Sequence, residues 1–136
     1  MVVTPIRTTS LEQFLILPET KPASEYIDGK IVQKPMPQGK HSLLRMNILT
    51  FINSILMEAK IAIAFPELRC TIGGRSTVPD VVILENKNIP KDDDGEISNV
   101  VTTPPNWIIE ILSPDQSTTK VIKNIIHCLE CGTEDG

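Results

Sequence analysis

Two acids stand where acids are costly. Asp80 heads the apolar run Val81-Val82-Ile83-Leu84, directly after Pro79, and Glu110 lies inside Trp107-Ile108-Ile109-Glu110-Ile111-Leu112. Both runs have the composition of strands covered on both faces. A carboxylate among such neighbours needs a cation, a metal or hydrogen bonds to compensate it. Either acid alone reads most simply as a strand-end cap or the occupant of a solvated edge. Two acids on two neighbouring buried strands suit a divalent cation better, because paired carboxylates repel unless they share a charge such as Mg²⁺. A basic side chain should complete such a centre. Lys120 and Lys123 lie on the helix expected after the Glu110 strand. At about 100° per residue the apolar stripe of that helix centres between Val121 and Leu129. Lys123 then sits just beyond the stripe beside Ile126, and Lys120 points nearly opposite the core. Lys123 is the expected catalytic lysine and Lys120 the second choice; the plainer reading leaves both solvated.

The elements that must position these residues are legible in outline. Residues 8 to 17 read as a short helix with Thr9 or Ser10 as N-cap, ended by Pro18. Ser24 to Lys34 reads as a hairpin, with Tyr26-Ile27 and Ile31-Val32 flanking an Asp28-Gly29 turn. His41 and Ser42 open a long helix to about Lys60, with Leu44, Ile48, Phe51, Ile52 and Ile55 at helical spacing. Strand composition follows at Ile61 to Phe65 and Leu68 to Ile72, broken at Pro66, with a turn at Gly73-Gly74. The Asp80 strand covers Val78 to Leu84, a polar excursion runs from Lys87 to Pro105, and the Glu110 strand covers Trp107 to Leu112, stopped by Ser113-Pro114. Gln116 to Cys131 is the last helix, expected to pack Val121, Ile122, Ile125, Ile126 and Leu129 on the sheet. The order predicts an α/β fold, a sheet with helices packed on it.

The 136 residues fit a single domain, 1–136. Thirteen Lys and Arg against seventeen Asp and Glu leave a net charge of −4. That balance disfavours coating nucleic acid by bulk positive charge, yet it suits a protein that meets phosphate through metal-holding carboxylates. No run approaches the length of a membrane span, and residues 1–9 carry no apolar core of a signal peptide. Three cysteines form no disulfide framework, so a reducing, cytoplasmic setting is expected.

Val78-Pro79-Asp80-Val81-Val82-Ile83, Trp107-Ile108-Ile109-Glu110-Ile111-Leu112-Ser113-Pro114 and Lys123 together resemble the Uma-two family. These are restriction-type endonucleases of the PD-(D/E)XK superfamily. Upstream, Glu25-Tyr26-Ile27-Asp28-Gly29-Lys30-Ile31-Val32 resembles the family's hairpin, and Met36-Pro37 followed by His41 its loop-to-helix entry. The similarity spans roughly residues 9 to 131. It implies a PD-(D/E)XK core, a central mixed sheet flanked by helices, that hydrolyses DNA with Mg²⁺. Asp80 would match the metal-binding Asp and Glu110 the acid of the (D/E)XK element. A lysine would orient or deprotonate the attacking water. Leu112 occupies the position where the superfamily pattern places that lysine. In the family it has moved to the following helix, which implies Lys123. Glu25 and His41 match family positions near the site, as a second metal ligand and as a phosphate contact or proton-transfer group. Family members continue with an aromatic- and aliphatic-rich strand where this chain ends in Gly132-Thr133-Glu134-Asp135-Gly136. The expected domain therefore lacks that strand, and an unpaired edge favours a homo-oligomer. The competing expectation is an inactive or weakly active domain that keeps the fold for nucleic-acid or protein binding. Leu112 and the missing strand favour it; Asp80 and Glu110 favour the nuclease.

Three weaker signals fall away. His127, Cys128 and Cys131 imitate half a zinc site but have no second pair at zinc-finger spacing. Aligning Gly95 with the glycine of a calcium loop puts Pro90 first and Val101 last, neither of them a fit. Gly73-Gly74-Arg75-Ser76 lacks the lysine of a phosphate loop, although Arg75 could reach a DNA phosphate.

Overall fold

The computed structural model describes residues 9–112 and 117–136. The expected strand stop at Ser113-Pro114, the helix start at Gln116 and the first eight residues lie outside them. Helix α1 (Leu11–Leu15) is set by a reciprocal cap: Ser10 Oγ accepts from the Gln13 N–H at 3.1 Å, and Gln13 Oε1 accepts from the Ser10 N–H at 3.0 Å. Strands β1 (Ser24–Ile27) and β2 (Lys30–Gln33) form the hairpin, with Ile27 paired to Lys30. Asp28 (φ 51°) and Gly29 (φ 80°) both take the positive φ that a tight two-residue turn requires.

One long antiparallel hairpin organises the rest. Its arms are β3 (Ala62–Pro66) with β4 (Arg69–Ile72), and β5 (Arg75–Thr77) with β6 (Val81–Glu85). Ala62 pairs with Glu85 and Ile72 with Arg75, one register from end to end. Residues 67–68 and 78–80 interrupt both arms at the same level. There the ribbon passes from the sheet β2-β1-β5-β4-β7, with β7 at Val100–Val101, into the sheet β3-β6-β8, with β8 at Trp107–Ile109. The break read at Pro66 and the onset of the Asp80 strand are thus one structural event. Strands β7 and β8 complete the sheets. Because β7 runs parallel to β4, the arrangement is mixed. The sequence showed β7 only as part of a polar excursion, because two residues carry no alternation to read.

Strand β6 is covered on both faces, as a continuous apolar run demands. Val82 and Leu84 join Cys70, Ile72, Val101, Ile108 and Cys128 under helix α3 (Thr118–Glu130). Val81 and Ile83 join Ala62 and Ala64 under helix α2 (Gly39–Leu56), against Leu49, Ile52 and Leu56. Fully burying each such side chain stabilises the fold by about 1.5–3 kcal/mol. α2 also protects the free edge of β3. Asn53 Oδ1 accepts the Ala64 N–H at 2.8 Å, and Asn53 Nδ2 donates to the Ala64 carbonyl at 3.0 Å.

Three expectations are corrected. α3 buries Val121, Asn124 and Cys128, while Ile122, Ile126 and Leu129 stay 41–49% exposed. The stripe was misplaced because isoleucines outnumbered the small and polar residues that face the sheet. Trp107 and Leu112, read as buried, are 46% and 50% exposed, and β8 ends at Ile109. The β8 edge is not left bare at Trp107–Ile108. The residues after α3 return beside it, Trp107 bridges Asp135 in parallel, and the Ile108 N–H donates to the Asp135 carbonyl at 3.1 Å.

Arg69, only 6% exposed, ties the N-terminal segment to this frame. Its guanidinium donates to both Glu19 carboxylate oxygens (2.8 and 2.9 Å), to the Ser24 carbonyl (2.8 Å) and to Ser76 Oγ (3.0 Å), and lies 5.2 Å from the Phe14 ring centroid. Arg69→Ala is expected to lower stability by about 3 kcal/mol, since it removes a buried guanidinium with its hydrogen bonds to Glu19, Ser24 and Ser76 and its packing on Phe14. A urea titration checks this, with Arg45→Ala at the exposed Glu67 pair as the small-effect control.

Candidate active site

The interruption in the long hairpin is where the acids gather. β6 and β8 pair Val81 with Ile109, so Asp80 falls opposite Glu110 one step further along. Opposed residues of an antiparallel pair share a face. For this pair it is the face of Val82 and Ile108, beneath α3. Asp80 is 2% exposed. Its Oδ2 accepts the Ile111 N–H at 2.7 Å, while Oδ1 faces Lys34 Nζ and His41 Nε2, each at 3.3 Å. Lys34 Nζ also donates to the Val78 carbonyl at 2.6 Å.

Glu25, also 2% exposed, enters from β1. The Val78 N–H donates to its Oε2 at 2.8 Å, and Lys120 Nζ from α3 donates to its Oε1 at 3.1 Å. Three carboxylates therefore crowd one end of the sheet. Burial, first, pushes the Glu110 carboxyl up to about 8, and the negative charges of Asp80 and Glu25 push the same way against Lys34. A hydrogen bond with Asp80 also favours the protonated form. At neutral pH without an added cation, burial thus favours the protonated form of Glu110 beside Asp80. Such a pair has room in its charge balance for one more positive ion.

Of the residues singled out by sequence, Asp80, Glu110, Glu25, His41 and Lys120 are brought together. Lys123 is not: it is exposed on α3. Lys120 lies four and eight residues before the buried Asn124 and Cys128, and so shares their face. Lys34 was missed. Its backbone N–H donates to the Ala23 carbonyl at 2.8 Å, which extends the β1–β2 register by one pair. Strand alternation then puts Lys34 on the same face as Glu25, a signal the hairpin pattern already contained. Arg75 pairs with Asp28 at 3.2 Å. His127 Nε2 meets the Ile72 carbonyl at 2.9 Å and lies 3.7 Å from Cys131 Sγ. The nearby thiols are pushed up chiefly by burial, Cys70 to about 12 and Cys128 to about 11, which makes them poor nucleophiles at neutral pH.

A cleft of about 680 Å³ opens onto Asp80, bordered by Lys34, Met36, His41, Arg45 and Arg69. Among the described residues no group of three or more His, Cys, Asp and Glu side chains is disposed as a metal cage. The donor set still fits Mg²⁺, which is commonly held by one or two carboxylates with water and substrate phosphate as the other ligands. Asp80 and Glu110 are such a pair.

A mixed sheet flanked by helices, with paired acids at a strand interruption, defines a restriction-endonuclease-like fold. The comparisons agree. The Uma2 model, described as putative restriction endonuclease, matches residues 11–136, and the chain belongs to that family. The chain is also similar to the crystal structure of a putative nuclease belonging to DUF820 from Anabaena variabilis. The two are 58% identical with a TM-score of 0.88, over 92% of this chain and 70% of that one. No match was found among curated proteins. No helix among the described residues is long and apolar enough to cross a membrane.

Proposed function

We propose that this chain is a divalent-cation-dependent DNA endonuclease centred on Asp80 and Glu110. The observation that carries the reading is the register of β6 and β8. Continued by one step, it opposes the buried Asp80 to the partly buried Glu110, whose carboxyl is pushed up chiefly by burial. Mg²⁺ held by these carboxylates would supply Lewis acidity toward the phosphodiester and a water of lowered pKa.

The chain's own groups have separable roles in this reading. The Ile111 N–H fixes Asp80 Oδ2, so only Oδ1 faces the cleft. Glu25, pinned by the Val78 N–H, holds the Lys120 ammonium over the site, where it offsets negative charge developing on the phosphate. Lys34 and His41 bring donors to the mouth of the cleft, where the backbone of an incoming strand would lie. Lys120 supplies from α3 the positive charge that Leu112 cannot, which supports the nuclease over the inactive-domain alternative.

Supercoiled plasmid tests this. Purified protein should nick it with Mg²⁺ and not with EDTA, and Asp80→Asn should abolish nicking while keeping the fold. Cation-independent binding of DNA without nicking would favour the inactive domain.

A further inference from the structure

α2 is eighteen residues long, yet none of its residues is fully buried. Its inner side meets β3 and β6 through Leu49, Ile52 and Leu56. Beside that inner side, about 100° round the helix, runs a second apolar stripe. Leu44 is 48% exposed, Phe51 67% and Ile55 54%, with Ile48 partly exposed between them. The steps along this stripe are four, three and four residues, the spacing of a coiled-coil seam. At about 100° per residue the four side chains fall within an arc of roughly 60°. Leu43 and Met46, elsewhere round α2, are also exposed, at 55% and 56%.

The pattern is its own complement when reversed. Lay a second α2 antiparallel across the first, with a twofold axis between residues 49 and 50. Leu44 of each copy then meets Ile55 of the other, and Ile48 meets Phe51. The charges obey the same symmetry. Lys40, at the start of α2, and Glu58, just past its end, are both exposed and border the same edge of the stripe. In the antiparallel arrangement each Lys40 reaches the Glu58 of the other copy. A parallel arrangement would bring neither Lys40 nor Glu58 level with a charge of opposite sign. Isologous contact through one self-complementary patch is the form a twofold dimer requires.

We infer that the chain forms a homodimer through this stripe of α2, with Leu44, Ile48, Phe51 and Ile55 as the seam and Lys40–Glu58 pairs fixing its antiparallel direction. This interface is distinct from the β8 edge and from the exposed side of α3, and it does not depend on the nuclease reading. Light scattering coupled to gel filtration, across the micromolar range, tests it. Wild type should show twice the chain mass. Phe51→Glu, at a position 67% exposed, should return the single-chain mass with an unchanged circular-dichroism spectrum. Lys40→Glu alone and Glu58→Lys alone should each raise the dissociation constant several-fold, and the double reversal should restore it. Ile126→Glu on α3 should leave the dimer intact. A wild-type chain of single mass throughout the range would overturn the proposal. So would a dimer broken by Ile126→Glu but not by Phe51→Glu, or a double reversal that fails to rescue.

Discussion

Lys120→Ala should lower the rate of Mg²⁺-dependent DNA cleavage by about 10²–10³-fold, the usual cost of removing one charge-stabilising donor from an active site. Lys123→Ala should leave the rate near that of wild type. The two lysines are three residues apart on α3, and only the buried face of the helix separates their fates. Lys120 shares the side of Asn124 and Cys128, and its ammonium reaches Glu25 at 3.1 Å. Lys123 points to solvent. Lys120→Ala also strands the buried Glu25 carboxylate, so some loss of stability is expected. Lys120→Arg separates the two effects: it keeps the charge beside Glu25 but changes the geometry, and should restore stability more fully than rate. Single-turnover nicking assays with a parallel thermal melt read both quantities. Equal, small losses from the two alanine variants would place both lysines outside the chemistry.

Glu110→Gln should remove a fall in stability that wild type shows between about pH 4.5 and pH 8. The sign follows from the direction of the shift. Burial raises the Glu110 carboxyl from its ordinary 4.5 to about 8, so across that window the folded chain binds more protons than the unfolded one. Stability contributed by protonated Glu110 is fully present below 4.5 and is lost as the pH rises through 8. A neutral glutamine has no proton to lose, so the thermal midpoint of the variant should exceed that of wild type by several degrees at pH 9 and by little at pH 5. Mg²⁺ should act in the opposite sense on wild type. It competes with the proton, so its stabilising effect should grow from pH 6 to pH 9. Melts at fixed ionic strength, with Mg²⁺ and with EDTA, check both trends.

How much of this was legible in the sequence depends on the kind of signal. Turn chemistry transferred directly: Asp28-Gly29 and Gly73-Gly74 both form tight turns, and at Gly73 a Cβ would lie 2.7 Å from Cys131 Sγ. Unbroken apolarity located β6, because a strand covered on both faces leaves no polar gaps. The break in hydrophobic logic at Asp80 and Glu110 marked the acids that the strand register sets face to face. Helix α3 was legible as an element but not in its rotation. The residues it buries include Asn124 and Cys128, while three large aliphatic residues face outward. An apolar count therefore turned the helix the wrong way and drew attention to Lys123. Lys34 escaped notice because a lysine at a strand end is usually solvated. Its pairing across from Ala23 carries the hairpin register one step further and sets it on the face of Glu25. Strand β7 is held by pairing with β4 over two residues, too short for any local pattern.

The central claim is that Asp80 and Glu110 hold one divalent ion between them. Calorimetric titration of the purified chain with Mg²⁺, without DNA, tests it most directly. A single ion should bind per chain, and Asp80→Asn and Glu110→Gln should each abolish or greatly weaken binding. Lys123→Ala should bind as wild type does. Undiminished binding in both carboxylate variants, or no binding by the wild-type chain, would contradict the account.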